Sequence, residues 1–211
     1  MGRVYGYMGL AVIVSMLVSM FVGTNPALVQ FFFTGIMHWV IVLSPVLAVF
    51  LLIPFMNANP PRELALLALA GFAALMGLSF AVIFAVYTAM SIFGAFMGAG
   101  VLFATMSFYG YFTKRSLDSL GKFMFVGLIA IIIASIINIF IGSTVMQMVI
   151  SALAIIIFLG LTAYDTQQIR EMVSVDTSPA VEVMGALQLY LDFINLFLHL
   201  LQLFGVKTSN D

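Results

Sequence analysis

The chain has 211 residues, of which 64% are hydrophobic and only 7% are charged, and its net charge is −1. A soluble domain carries roughly a quarter charged residues, so a soluble fold would leave much of this apolar side-chain area in water. We therefore expect an integral membrane protein whose surroundings are the lipid bilayer, and no nucleic acid partner, because a basic surface is missing. The chain holds no cysteine, which excludes a disulfide framework, a thiolate metal site and a cysteine nucleophile.

Seven stretches are apolar and close to the length of about 20 residues that a membrane-spanning helix needs. Lipid offers no hydrogen-bond partner to the backbone, and the runs are too long and unbroken for barrel strands, so an all-α fold is predicted. The stretches cover residues 4–23, 36–55, 64–87, 90–111, 123–141, 144–164 and 181–204. Because the connections are short, residues 1–211 are predicted to form a single seven-helix transmembrane domain.

The basic residues predict which way the chain crosses the membrane. With seven spans, six of the seven basic residues fall on one side and only Lys207 falls on the other. The six are Arg3, Arg62, Lys114, Arg115, Lys122 and Arg170. The positive-inside rule then predicts a cytoplasmic amino terminus and a carboxyl terminus outside. Small soluble parts and the lack of an organellar targeting segment favour a bacterial inner membrane.

The last predicted span carries a stripe of polar side chains at alternating spacings of four and three residues. The stripe consists of Gln188, Asp192, Asn195, His199 and Gln202. This spacing puts all five on one face of a helix. A carboxylate facing lipid at mid-membrane would cost at least about 2.5–3.5 kcal/mol, so the stripe is expected to face protein or water. Asp192 is the strongest functional candidate, and the other four either line a path or hold helices together.

A second aspartate offers a partner for Asp192. Asp165 ends the sixth apolar run, and the following TQQIREM contains no helix breaker, so helix six is expected to continue with Asp165 inside it. Pro179 is expected to open the last helix, which brings Asp192 within reach. Two neighbouring carboxylates repel when both are ionised, so the pair is expected to share a proton and to respond to pH. Their oxygens also suit Ca²⁺, a hard cation.

Three stretches resemble the Bax inhibitor family, also called the transmembrane Bax-inhibitor-motif family. They are LQLYLDFINLFLHLLQLFG (187–205), AYDTQQI (163–169) and YGYFTKRSLDSLGKFMFVGL (109–128), and the resemblance covers nearly the whole chain. It implies seven helices, arranged as two three-helix layers around a central carboxyl-terminal helix. It also implies a pH-sensitive calcium leak channel that is controlled by an aspartate pair, here Asp165 and Asp192. Family members latch this pair with an arginine of the second helix, for which Arg62, just past that helix, is the candidate here.

Two other functions are open to a chain of this kind. Paired aspartates on consecutive spans also occur in intramembrane aspartyl proteases. The chain lacks the G-x-G-D and P-A-L motifs of the presenilin type, so we expect no enzymatic activity. Some bacterial members of the family restrain a membrane-anchored AAA protease and some eukaryotic members modulate cell death, so a regulator without transport is the alternative. No resident cofactor is expected, and Ca²⁺ or another cation would be a permeant or bound ion.

Overall fold

The computed structural model describes residues 1–208, and this part of the chain is helical with short connections. In chain order the helices are α1 (Gly2–Gly23), α2 (Pro26–Phe33), α3 (Gly35–Asn57), α4 (Arg62–Phe80), α5 (Ile83–Val86), α6 (Ala89–Phe112), α7 (Asp118–Ile141), α8 (Thr144–Val175) and α9 (Pro179–Phe204). With α4 and α5 counted as one segment, seven of them are long and apolar enough to cross a membrane, and only α2 is not. The predicted all-α integral membrane fold with seven spans is confirmed.

One helix was not predicted, because it is too short to register as a span. In α2 the sequence PALVQFFF follows Asn25, whose side-chain oxygen accepts hydrogen bonds from the backbone N–H groups of Ala27 and Leu28 at 3.1 and 3.4 Å. Asparagine is a favoured cap at this position, and Pro26 supplies a fixed φ in the first turn. These local signals start a helix inside the first connection.

The third span was predicted as continuous, but it is interrupted after Phe80. The N–H of Phe84 bonds the carbonyl of Ala81 and the N–H of Ala85 bonds that of Val82, so the backbone tightens to the three-residue pattern of a 3₁₀ turn. The end of α1 lies against this turn, since a Cβ added to Gly23 would be 2.5 Å from the Ala81 carbonyl oxygen. The interruption therefore accompanies a tertiary contact and has no proline or glycine signal of its own.

The described chain divides into two compact units. The first contains residues 1–89 and 172–190 together with Lys207 and Thr208. Within it α1 packs on α4, where Gly77 is needed because a Cβ there would lie 2.5 Å from the Ser15 carbonyl oxygen. The side chain of Tyr190 is fully buried, and its hydroxyl lies 2.6 Å from Ser15 Oγ.

The second unit contains residues 90–171 and 191–206, and hence α6, α7, most of α8 and the second half of α9. Helix α7 ends at Ile141 and is capped by Gly142, which has a φ of +68°, a left-handed conformation that glycine adopts without strain. Only Gly142 and Ser143 separate α7 from α8. Helices α6 and α8 approach closely, because a Cβ on Gly110 would lie 2.1 Å from the Ala163 carbonyl oxygen.

The last helix is the most buried of the spans. In its most apolar stretch 67% of the residues are buried, against 11–33% in the other six. The polar stripe of α9 is therefore carried by a helix that is largely surrounded by protein, as the resemblance implies for a central helix. Helix α8 continues through Asp165 to Val175 and α9 begins at Pro179, so both predicted boundaries are confirmed.

Candidate functional site

Asp165 on α8 and Asp192 on α9 lie side by side within the second unit. Their carboxyl groups are close enough to interact directly, and the Thr162 side chain is a further neighbour of the Asp192 carboxyl group. Both aspartates are buried, with 6% and 4% of their surface exposed. Two carboxyl groups can hydrogen-bond directly only if one of them carries a proton, because an ionised carboxylate has acceptors alone. The close approach of the two acids therefore favours the sharing of one proton between them.

One carboxyl oxygen of the aspartate pair is not satisfied by a hydrogen bond from the described residues. Within residues 1–208, Asp192 Oδ2 is buried and has no hydrogen-bond partner. An acceptor in that position loses its hydration without compensation, so a water molecule or a cation would be favourable there. The same residues contain no group of three or more His, Cys, Asp or Glu side chains placed to hold a metal. Two carboxyl groups by themselves supply fewer than the 6–8 oxygens that Ca²⁺ takes.

The α8 turn that carries Asp165 is anchored on another side by a buried hydroxyl pair. Thr166 Oγ1 lies 2.8 Å from Ser107 Oγ of α6. The close approach of Gly110 to Ala163 occurs in the same stretch of the two helices. Hydroxyl bonds and small residues are what hold helices together where no hydrophobic force acts between them. The position of Asp165 is therefore fixed relative to α6.

A buried glutamine fixes the connection between α6 and α7 to the same part of α8. Gln167 Oε1 accepts a hydrogen bond from the Leu117 N–H at 2.8 Å, and Gln167 Nε2 donates to the Arg115 carbonyl at 2.9 Å. One amide side chain thus satisfies both a backbone donor and a backbone acceptor. Sequence reasoning missed this role, because Gln167 stands in a polar run and only its burial shows that it faces inward.

The polar stripe of α9 faces a second stripe on α8, which was not predicted from the sequence. The α8 stripe consists of Gln147, Ser151, Phe158, Thr162 and Asp165. Thr162 and Asp165 contact Asp192, whereas residues nearer the amino end of α8 contact His199 and Gln202. Serine and threonine are frequent in membrane helices and usually bond their own backbone, so they gave no distinctive sequence signal.

At the far end of these stripes, neutral side chains form what we call the amide network: Asn138, Gln147, Ser151 and Gln202. Gln202 Oε1 accepts from Gln147 Nε2 at 2.9 Å and from Ser151 Oγ at 3.0 Å. Gln147 Oε1 accepts from Asn138 Nδ2 at 3.1 Å. His199 Nδ1 lies 3.5 Å from Ser151 Oγ. The network ties α7, α8 and α9 together.

The other predicted stripe residues have different surroundings. Asn195 donates to the Leu191 carbonyl of its own helix at 2.8 Å, and its side chain is half-buried. Gln188 is also half-buried and lies in the part of α9 that belongs to the first unit. Among the four predicted lining residues, His199 and Gln202 have side chains that hydrogen-bond or stack with side chains of α8.

The candidate latch, Arg62, lies in the first unit and is paired there with a different carboxylate. Its Nη2 is 3.6 Å from Glu182 Oε2, and Arg3 Nη1 is 3.2 Å from Glu182 Oε1. Glu182 is buried, and sequence reasoning did not single it out because it lies in the first turn of α9, where acidic residues are common. A latch between Arg62 and the aspartate pair stays a prediction.

Known proteins match the chain over nearly its full length. The family model described as Inhibitor of apoptosis-promoting Bax1 matches residues 1–209. The Escherichia coli inner membrane protein YbhL is 35% identical over 211 aligned residues, which cover 97% of this chain and 90% of YbhL. The Lactococcus lactis protein YrjE is 36% identical over 219 residues, covering 99% and 91% of the two chains. The Rickettsia prowazekii protein RP147 is 35% identical over 209 residues, covering 96% and 87%. The chain belongs to the Bax inhibitor family of integral membrane proteins.

Proposed function

We propose that this protein is a pH-sensitive cation leak channel with Ca²⁺ as its cargo, gated by Asp165 and Asp192. The observation that carries the proposal is the close approach of two buried carboxyl groups, of which Asp192 Oδ2 has no hydrogen-bond partner among the described residues. A bacterial inner membrane is the proposed location, because the relative YbhL is named an inner membrane protein. The basic residues favour a cytoplasmic amino terminus and a carboxyl terminus outside.

In the closed state one proton lies between the two acids. When the pH rises and this proton leaves, two anions face each other in a buried site where their repulsion is weakly screened. The repulsion favours an arrangement in which α8 and α9 separate near Thr162 and admit water and cations. A local change of charge thereby shifts the population between a closed and an open state. A cation that enters offsets the two negative charges and then leaves, because few ligands hold it.

The two facing stripes supply the rest of the proposed path. From the aspartate pair toward the carboxyl end of α9, a cation would pass His199 and then the oxygens of Ser151 and Gln202. Neutral oxygens lower the cost of dehydration without trapping the ion. Gln188 and Asn195 stay lining candidates. Arg62 would act as a latch by exchanging Glu182 for the aspartate pair.

Ca²⁺ flux into proteoliposomes, measured from acidic to mildly alkaline pH, tests the proposal. The parent protein should carry more Ca²⁺ as the pH rises. Asp192→Asn and Asp165→Asn each leave at most one charge in the site, so both variants should show low flux without pH dependence. Glu171→Gln removes an exposed carboxylate of α8 and should keep the parent profile. An unchanged profile in Asp192→Asn would exclude the pair from gating. A parent protein that carries no ion but copurifies with a membrane protease would favour the regulatory alternative.

A further inference from the structure

An aromatic side chain interrupts the polar stripe of α8. Phe158 lies between Ser151 and Thr162, at spacings of seven and four residues that keep all three on one helix face. Its side chain is buried, with 6% of its surface exposed. Side chains on a helix lean toward the amino end, so the Phe158 ring covers the surface toward Ser151. The polar surface of α8 is therefore split into a part with the aspartate and a part with the amide network.

The facing helix places a second ring at the same position. His199 lies two turns beyond Asp192 on α9, and its imidazole is stacked on the Phe158 ring, with ring centres 6.1 Å apart and planes inclined by 24°. His199 Nδ1 also approaches Ser151 Oγ at 3.5 Å. The two stacked rings thus separate the aspartate pair from the amide network.

We propose that Phe158 and His199 form the gate of the cation path, and that the apolar Phe158 ring is the part of the gate that excludes water. This inference rests on the proposed function and adds where the path is closed. Hydrophobic constrictions in channels exclude ions by excluding water, and two parallel rings across facing helices form such a constriction. The Thr162 hydroxyl donates to the Phe158 carbonyl at 2.7 Å, and the Thr162 side chain is also a neighbour of Asp192. A change in the aspartate pair therefore acts directly on the turn of α8 that carries the Phe158 ring.

The absence of cysteine from the chain makes a direct test possible. Thr162→Cys places one thiol on the aspartate side of the rings, and Gln202→Cys places one in the exposed part of the amide network. Each is treated in proteoliposomes with a charged, membrane-impermeant thiol reagent added on the side of the α9 carboxyl end, at one mildly acidic pH. The Gln202→Cys thiol should react, and the Thr162→Cys thiol should not.

Two changes at Phe158 should open the path by different routes. Phe158→Ala removes the ring, and Phe158→Gln keeps a side chain of similar length but makes it polar. Either change should raise the labelling rate of Thr162→Cys about tenfold or more, as expected when a barrier falls by about 1.4 kcal/mol. Both should also raise Ca²⁺ flux at acidic pH. Phe158→Gln leaves little empty space, so it keeps the test informative if Phe158→Ala does not fold.

The matched control is Phe103→Ala. Phe103 is also buried, with 7% exposed, but its ring packs against Phe193, with ring centres 5.9 Å apart. Its loss should leave Thr162→Cys unreactive. The gate is contradicted if the Thr162→Cys thiol reacts as fast with Phe158 in place as in the Phe158 variants, or if it stays unreactive in both Phe158 variants. It is also contradicted if Phe103→Ala raises the labelling rate as much as the Phe158 changes do. Labelling requires no ion transport, so it separates failure of the gate from failure of the channel proposal.

Discussion

Glu182 Oε1 accepts a hydrogen bond from Arg3 Nη1 at 3.2 Å, although the Glu182 side chain is only 4% exposed. Arg62 Nη2 lies 3.6 Å from the other oxygen, so arginines at the amino ends of α1 and α4 meet one carboxylate in the first turn of α9. An acidic side chain in a first turn also faces the positive end of the helix dipole. The ion triad therefore fixes the start of the helix that carries Asp192 ten residues later.

Removing the charge of Glu182 should loosen this contact. Glu182→Gln keeps the size of the side chain but loses the charge-assisted hydrogen bond to Arg3 and the ion pair with Arg62, two arginines that are themselves partly exposed. We expect a loss of about 1–3 kcal/mol in stability, measured by denaturation in detergent micelles. Glu171→Gln is the control, because the Glu171 side chain is 68% exposed and its pair with Arg170 should contribute little. Equal stability of the two variants would show that the triad contributes nothing.

The amide of Gln167 should control how firmly the connection between α6 and α7 is held. Gln167→Glu can still accept from the Leu117 N–H, but it cannot donate to the Arg115 carbonyl and places a negative charge against it. We expect faster tryptic cleavage after Lys114 and Arg115. Gln168→Glu makes the same chemical change at a residue for which residues 1–208 show no hydrogen bond to the connection. Cleavage at the same rate in both variants would show that the Gln167 side chain does not hold this connection.

The contact of α6 with α8 should not tolerate a methyl group at Gly110. In Gly110→Ala the new Cβ would lie 2.1 Å from the Ala163 carbonyl oxygen, so the helices must separate. Overpacking of this kind costs about 1–3 kcal/mol or more. Gly100→Ala adds the same methyl group to the same helix where nothing lies within 4 Å, and it should not destabilise the protein. The thermal stabilities of the two variants in detergent are compared by size-exclusion chromatography after heating. Identical melting curves would contradict the close approach of α6 to α8.

The bond between Tyr190 and Ser15 should be measurable as a coupling energy. Their hydroxyl oxygens are 2.6 Å apart, and Ser15 Oγ also donates to the Ala11 carbonyl at 2.8 Å. A double-mutant cycle of Tyr190→Phe and Ser15→Ala should give a coupling of about 0.6 kcal/mol, the usual size for hydrogen bonds between membrane helices. Strictly additive effects of the two changes would show that the hydroxyl pair does not stabilise the first unit.

The elements that could be predicted are those that the local sequence determines. A run of about 20 apolar residues is enough to specify a span, which is why all seven were found. The continuation of α8 past Asp165 follows from a stretch without helix breakers, and the start of α9 follows from Pro179. The spacing of polar residues in α9 likewise predicted a face turned away from lipid.

Features that depend on the register between helices could not be predicted. Phe158 gives the same local signal as any lipid-facing phenylalanine, and only the position of α9 opposite α8 brings it to His199. The inward orientation of Gln167 depends in the same way on where the connection after α6 lies. The interruption at Ala81 accompanies the contact with Gly23, which is distant in sequence. In each case the decisive neighbour belongs to another element.

The length of α8 determines how deep the aspartate pair lies. Eighteen residues separate Thr144 from Thr162, which corresponds to about 27 Å of helix, and the hydrocarbon core of a bilayer is about 30 Å thick. An ion that reaches the aspartates from the amino end of α8 has therefore crossed most of the electric field of the membrane. Each elementary charge that crosses the whole field changes in energy by about 2.3 kcal/mol per 100 mV. Under the proposed function, occupancy of the pair by a divalent cation from that side would therefore be coupled to membrane voltage, even though no helix needs to carry a gating charge.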